Sequence, residues 1–294
     1  MPSDFASIAS ALHDPRLTPA RGDIAAQHLE GQVSADRFVA GEEFVVRDAV
    51  APLRARPSAD AMLMTEALLG ERVTIYDRSD DGWAWGQLAG DFYVGWLPLS
   101  ALAPPQAQPT HRITALRSFA FPGPSIKLPP LATLVLGSVV TIAEEDGIFA
   151  VTSDGRYLPK VHIGGLAQHE NDFVAVAERF VGTPYLWGGK SSLGIDCSGL
   201  TQIALQSCAI PSLRDSDMQQ ACLGRALENA QASQLQRGDL IFWKGHVAIV
   251  RDSASLIHAT AHRMQTVVEP IKEAIDRINE AGYPVTGVRR LSPQ

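Results

Sequence analysis

The segment Gly182-Thr183-Pro184-Tyr185-Leu186-Trp187-Gly188-Gly189-Lys190, followed by Gly194-Ile195-Asp196-Cys197-Ser198-Gly199-Leu200, passes from turn formers directly into an apolar stripe. Leu200, Ile203, Ala204 and Leu205 recur at helical spacing, which predicts a helix over Cys197–Cys208 with Cys197 in or beside its first turn. A thiol at that point meets unpaired backbone N–H groups and the positive end of the helix dipole, and both favour thiolate. A free thiol with a pKa of about 8.5 is little ionised at neutral pH, so this placement together with a nearby imidazole is what makes a nucleophile. Cys208 lies in the apolar stripe and Cys222 sits in Gln219-Gln220-Ala221-Cys222-Leu223, so both read as structural thiols.

Working outward, Phe173–Val181 is a helix candidate closed by Gly182. Short apolar runs follow the cysteine helix at Asp239–Trp243, His246–Val250, Leu256–His258 and Thr266–Glu269. Helices first and an antiparallel meander after them define an α+β domain.

A nucleophilic thiol needs a base, and the chain holds eight histidines. A hairpin folded about positions 252–253 brings His246 and His258 opposite each other or within a rung or two. Directly opposed side chains have Cβ atoms about 4.5–5.5 Å apart, so the second histidine can accept the N–H of the first and fix its tautomer. Nucleophile, base and orienter then come from three separate segments. The His258-Ala259-Thr260-Ala261-His262 spacing lacks the glutamate of helical zinc-protease motifs, Ala259 standing in its place. Cys197, His246 and His258 around zinc with one open position stay a second reading of the same residues.

Toward the N-terminus the texture differs. Residues 1–45 are polar, with short helices expected over Ser3–Leu12 and Asp23–Leu29, and read as an arm. From Ala49 onward short alternating runs appear at Val50–Arg54, Leu68–Tyr76, Trp83–Leu88 and Tyr93–Leu97, with Asp80-Asp81-Gly82 as a hairpin turn. Pro104–Thr110 reads as an extended linker. Similar runs resume at Ile113–Leu116, Leu134–Val135, Val139–Ile142, Ile148–Val151 and Tyr157–Pro159, with Glu144-Glu145-Asp146-Gly147 as a turn. The stretches 49–102 and 111–164 look like a degenerate tandem repeat of small barrels. The expected order is an arm at 1–45, a barrel at 46–103, linker and second barrel at 104–166, and the α+β domain at 167–294.

Composition excludes several classes. Net charge is −7, six units of it before residue 168, and no cluster of Lys and Arg is present, so neither nucleic acid nor an anionic surface has an electrostatic partner here. No run approaches the 18 or more apolar residues of a membrane span, and Met1-Pro2-Ser3-Asp4-Phe5 lacks the layout of a secretory signal. Three cysteines are an odd number in a long chain, so free thiols and a cytoplasmic location are expected. Oligomeric state is not legible.

The chain resembles the NlpC/P60 cysteine peptidases, papain-like enzymes that cleave bacterial cell-wall peptides. The resemblance rests on Pro184–Gly189, Asp196–Gly199, Arg214-Asp215-Ser216, Arg237–Phe242, Gly245–Ile249 and Ile257-His258-Ala259, in that order. It implies Cys197 as nucleophile, His246 as base and His258 as the orienting residue, with no metal or other cofactor. It also implies oxyanion donors in the Cys197 N–H and Tyr185, and a substrate cleft lined by Trp187, Asp196, Ser198, Asp215 and Ser216. Helix capping competes with that role for Asp196 and Asp215, and core packing for Trp187. The barrels look like bacterial SH3 domains. Two of them before this catalytic domain resemble the layout of enzymes that hydrolyse the γ-D-glutamyl to diamino acid bond of murein peptides with a free N-terminal L-Ala. Tyr93 and Glu66 then correspond to residues that read the free amine. An N-acetylmuramoyl-L-alanine amidase, a thiol acyltransferase of the same fold and a non-catalytic wall-binding module are the alternative readings. The expected fold class is thus α+β multidomain, a papain-like domain preceded by two small all-β SH3-like barrels.

Overall fold

A computed structural model describes residues 14–105, 107–228 and 234–291, so the helix expected over Ser3–Leu12 lies outside the described residues. The chain divides between Gln168 and His169 into two compact units.

The first unit is built of strands. Its largest sheet has seven, in the order Leu63–Leu68, Val50–Arg54, Val94–Pro98, Trp83–Leu88, Arg72–Arg78, Glu42–Val46 and Leu102–Ala103. Val50–Arg54 and Val94–Pro98 alternate half-buried and buried side chains, the period-2 signature that the sequence carries. Gly82 closes the predicted hairpin at φ +79°, in the left-handed region. The helix expected over Asp23–Leu29 does not form: Ala25–Ala26 is a short strand paired with Phe38–Val39, and only Gln27–Leu29 winds, as one 3-10 turn. Tertiary contacts decide this, because a seven-residue helix is marginal by itself. Arg21 is pinned to the barrel, 2.5 Å from the Asp77 carboxylate and stacked 4.5 Å from the Trp85 ring and 5.0 Å from that of Trp96.

The second set of strands differs in detail from expectation. Of the run Ile113–Leu116 only Ile113 lies in a strand, His111–Ile113, with Arg117–Ala120 forming the next, and Ile142–Asp146 runs as strand over the first three residues of the expected Glu144–Gly147 turn, leaving the reversal at Gly147 and Ile148. Pairing with Phe149–Thr152 absorbs those acidic residues on an exposed edge. The proline-rich stretch is tied down, with Thr110 N–H donating to Val140 O at 3.0 Å and the Thr141 hydroxyl donating to Gln108 O at 3.1 Å. Leu69 of the first barrel packs with Ile113, Ala120, Leu134, Val140 and Leu158, and Val139 N–H donates to Leu69 O at 2.9 Å. Both strand sets therefore share one unit.

The second unit is an antiparallel six-stranded sheet with helices, ordered Arg225–Ala226, Val285–Arg290, Leu240–Trp243, His246–Val250, Ser255–Thr260 and Gln265–Pro270. Leu240–Trp243 is buried along its whole length, as expected for a strand near the middle of a sheet covered on both faces. The helix Cys197–Ser207 packs on the His246–Val250 and Ser255–Thr260 strands and is buried from Cys197 to Leu205. A helix over Ile271–Glu280, not anticipated from the sequence, buries Ile271 and Ala274 against Ile241, Trp243, Ala248 and Val250 of the sheet.

Candidate active site

Asp196 begins the nucleophile helix. Its Oδ1 accepts the Gly199 N–H at 2.7 Å, capping the helix, while Oδ2 accepts the Gly188 N–H at 2.8 Å and ties the preceding loop to the same point. Arg214, fully buried, closes a two-toothed ion pair on this carboxylate at 2.9 and 2.8 Å and also donates to Ser198 Oγ at 2.9 Å. The loop lies tightly on the helix: a Cβ at Gly199 would stand 2.2 Å from Gly189 O, so only glycine fits. This arrangement fixes Cys197 in the first turn of an 11-residue helix, as the apolar periodicity predicted.

Cys197 is 6% exposed, and its Sγ lies 4.0 Å from Gly245 O. The backbone N–H groups of Val247 and Ser198 favour its ionised form, so main chain on both sides of His246 bears on the sulfur. The strand register pairs Ile249 with Ile257 and Val250 with Leu256, which sets His246 and His258 diagonally, two residues out of register, on one face. His246 Nε2 and His258 Nδ1 are 2.8 Å apart, the contact anticipated from the hairpin. His258 Nε2 in turn faces Glu269 Oε2 at 3.1 Å.

Charge in this pocket is set by burial. Desolvation, followed by the Asp196 carboxylate, pushes the Cys197 thiol up to about 12, outweighing the Val247 N–H, Arg214 and the Ser198 N–H. Burial, then His258 and Arg277, drives His246 down to about 3. Burial thus opposes the thiolate that the helix start favours and holds thiol and imidazole toward their neutral forms. They hold the same protons as a thiolate and imidazolium pair, so one transfer from sulfur to ring converts one into the other.

The remaining sequence candidates fall in different places. Tyr185 is half-buried, its N–H donating to Met264 O at 2.9 Å, and burial followed by Cys197 raises its phenol. Trp187 is 59% exposed, so core packing does not account for it. Asp196 and Ser198 are buried and held by Arg214. Asp215 occupies the N-cap of the Ser216–Cys222 helix without a side-chain capping bond, and Ser216 is buried in its first turn. Glu66, opposite Pro52, and Tyr93, whose N–H donates to Asp91 Oδ1 at 3.1 Å, are both buried and belong to the first unit. Among the described residues no group of three or more His, Cys, Asp or Glu side chains is arranged to hold a metal ion. Two charged residues of this cluster, Arg214 and Glu269, carry no local sequence signal for their partners. Arg214 was visible within a matched motif but without a partner, and Glu269 was placed on a strand without its register to His258.

A cysteine at a helix start with a histidine pair on the neighbouring strands of an α+β scaffold is an arrangement that thiol-dependent hydrolases use. Residues 182–282 match the NlpC/P60 family model and residues 53–102 the bacterial dipeptidyl-peptidase SH3 domain, so the chain carries an NlpC/P60 peptidase domain behind a bacterial SH3 domain. Dipeptidyl-peptidase 6 of Lysinibacillus sphaericus is 27% identical over 76% of this chain and 90% of that protein. A γ-D-glutamyl-L-lysine dipeptidyl-peptidase of Bacillus cereus is 29% identical over 79% of this chain and 76% of that protein. The crystal structure of an NlpC/P60 family protein from Bacillus cereus shares the fold, with a TM-score of 0.72 and 24% identity over 86% of this chain and all of that one. Among the described residues no helix is long and apolar enough to cross a membrane.

Proposed function

We propose that the chain hydrolyses the γ-D-glutamyl to diamino acid bond of peptidoglycan peptides carrying a free N-terminal L-Ala. The observation that carries the chemistry is the 2.8 Å contact of His246 Nε2 with His258 Nδ1, next to a Cys197 sulfur that lies 4.0 Å from Gly245 O. With Nε2 engaged, Nδ1 of His246 is the nitrogen left to take the thiol proton. The Cys197 sulfur then bonds to the γ-carbonyl carbon, and the oxyanion is met by the Cys197 N–H and the Tyr185 hydroxyl. The imidazolium gives its proton to the departing amine as the C–N bond breaks. Water, deprotonated by His246, attacks the thioester and releases the γ-glutamyl dipeptide and the free thiol.

Trp187 forms an apolar wall of the cleft, with Asp215 and Ser216 lining it. Asp196 and Ser198 act mainly by holding the helix start that carries Cys197. Glu66 and Tyr93 of the first barrel read the substrate's free amine. Three free cysteines and a net charge of −7 favour released peptides in the cytoplasm over the anionic wall as the working substrate, which is a recycling role. The named activity of the Bacillus cereus relative supports this choice over amidase and acyltransferase chemistry.

The test is a pair of tripeptides, L-Ala-γ-D-Glu-L-Lys free and N-acetylated, with products read by mass. Release of L-Ala-D-Glu from the free form alone is expected. Equal cleavage of both would remove the amine-reading role of Glu66 and Tyr93, and cleavage of neither would overturn the proposed substrate.

A further inference from the structure

We propose that Glu269 is a positioning residue of this site, which sets the tautomers of both histidines and so leaves Nδ1 of His246 as the acceptor for the Cys197 proton. The inference rests on the reading of Cys197 as nucleophile and adds a fourth residue to the three in the sequence pattern. A neutral imidazole carries one N–H, and His258 has neighbours at both nitrogens: His246 at Nδ1, 2.8 Å away, and Glu269 Oε2 at Nε2, 3.1 Å away. An ionised carboxylate can only accept, so the His258 proton sits on Nε2. Nδ1 of His258 is then a lone pair and accepts from His246 Nε2–H. His246, its one proton thus committed, keeps Nδ1 bare.

The surroundings keep Glu269 ionised and aimed. It is 9% exposed, Arg277 of the Ile271–Glu280 helix donates to Oε2, and Arg263 Nε lies 3.4 Å from Oε1. His258, followed by these cations, holds the carboxyl well below its usual range. Glu269 stands opposite Leu256 and His258 opposite Val267, so acid and ring are diagonal neighbours on one sheet face, the same relation that joins His258 to His246. The charged and titratable groups around His258 are therefore His246 from its neighbouring strand, His262 and Arg263 from the hairpin, Glu269 from the next strand and Arg277 from the helix.

The test combines a spectrum and a rate. In the full-length protein with 15N-labelled histidine near pH 7.5, long-range proton to nitrogen correlations are expected to show His258 and His246 both protonated at Nε2. A proton on Nδ1 of His258 overturns the proposal. In Glu269→Gln the amide can donate to His258 Nε2, so its proton is expected to move to Nδ1, while kcat for the free tripeptide falls about 10- to 100-fold and KM stays within about twofold. Glu269→Asp restores part of the rate. A folded E269Q with wild-type tautomers and kcat contradicts the inference. If E269Q does not fold, the wild-type spectrum decides. A wild type that cleaves no tripeptide contradicts the proposed function, and the tautomer spectrum still tests this inference.

Discussion

Cys197 shows how position and environment pull a single residue in opposite directions. The helix start supplies N–H donors and a favourable dipole, while near-complete burial and the Asp196 carboxylate oppose ionisation, and burial wins. A thiol raised above its ordinary value is protonated at neutral pH and gains reactivity only as pH rises. Alkylation of Cys197 by iodoacetamide without substrate, followed on its peptide by mass, is accordingly expected to accelerate steadily from pH 7 to 10. A rate already on a plateau between pH 5 and 7 would reveal a standing thiolate and contradict this. The placement of Cys197 and of both histidines was legible in the sequence because each lies at the start of, or within, a short and strongly patterned element. Glu269 was not, since its meeting with His258 depends on a strand register that no local pattern prints.

At the scale of the element, the helix Cys197–Ser207 is held at one end by an ion pair that two distant segments supply. Arg214 is wholly buried and Asp196 nearly so, and removing one partner strands a buried charge. Arg214→Met is expected to cost about 3–5 kcal/mol, read by urea denaturation. A loss below about 1 kcal/mol would show that the pair does not anchor the helix. Gly199→Ala should cost about 1–3 kcal/mol by forcing the helix off the Gly189 carbonyl, seen as a lowered midpoint in the same experiment; an unchanged midpoint would contradict the tight seat. Periodicity gave the nucleophile helix and the four strands from Leu240 to Glu269 nearly in full. It failed at Asp23–Leu29, where Arg21 clamped between Asp77 and two tryptophans outweighs a weak local preference. It also failed at Glu144–Asp146, whose charges suggested a turn but lie on an exposed strand edge.

For the whole molecule, the buried groups of the second unit make stability depend on acid. His246 is lowered by burial from 6.5 to about 3, and Glu269 by His258 and its arginines from 4.5 to about 2. Both folded values lie below the unfolded ones, so the stability they contribute is complete above the unfolded values and drains away as pH falls toward the folded ones. The melting temperature of the full chain should drop from pH 7 to pH 4, and His246→Gln should flatten the part between pH 6.5 and 5. A wild-type melting temperature flat over that range would contradict the assignment. The division into strand-built and mixed parts was visible from the changing period of the hydrophobic pattern. The joining of both barrels into one unit was not, because it rests on Leu69 entering a core that belongs to later sequence. Thiol hydrolysis at Cys197 is tested by incubating wild type and Cys197→Ala with L-Ala-γ-D-Glu-L-Lys, each with and without EDTA. L-Ala-D-Glu formed by wild type regardless of chelator and by the variant not at all is the expected result; product from C197A, or loss of wild-type activity in EDTA, would contradict it.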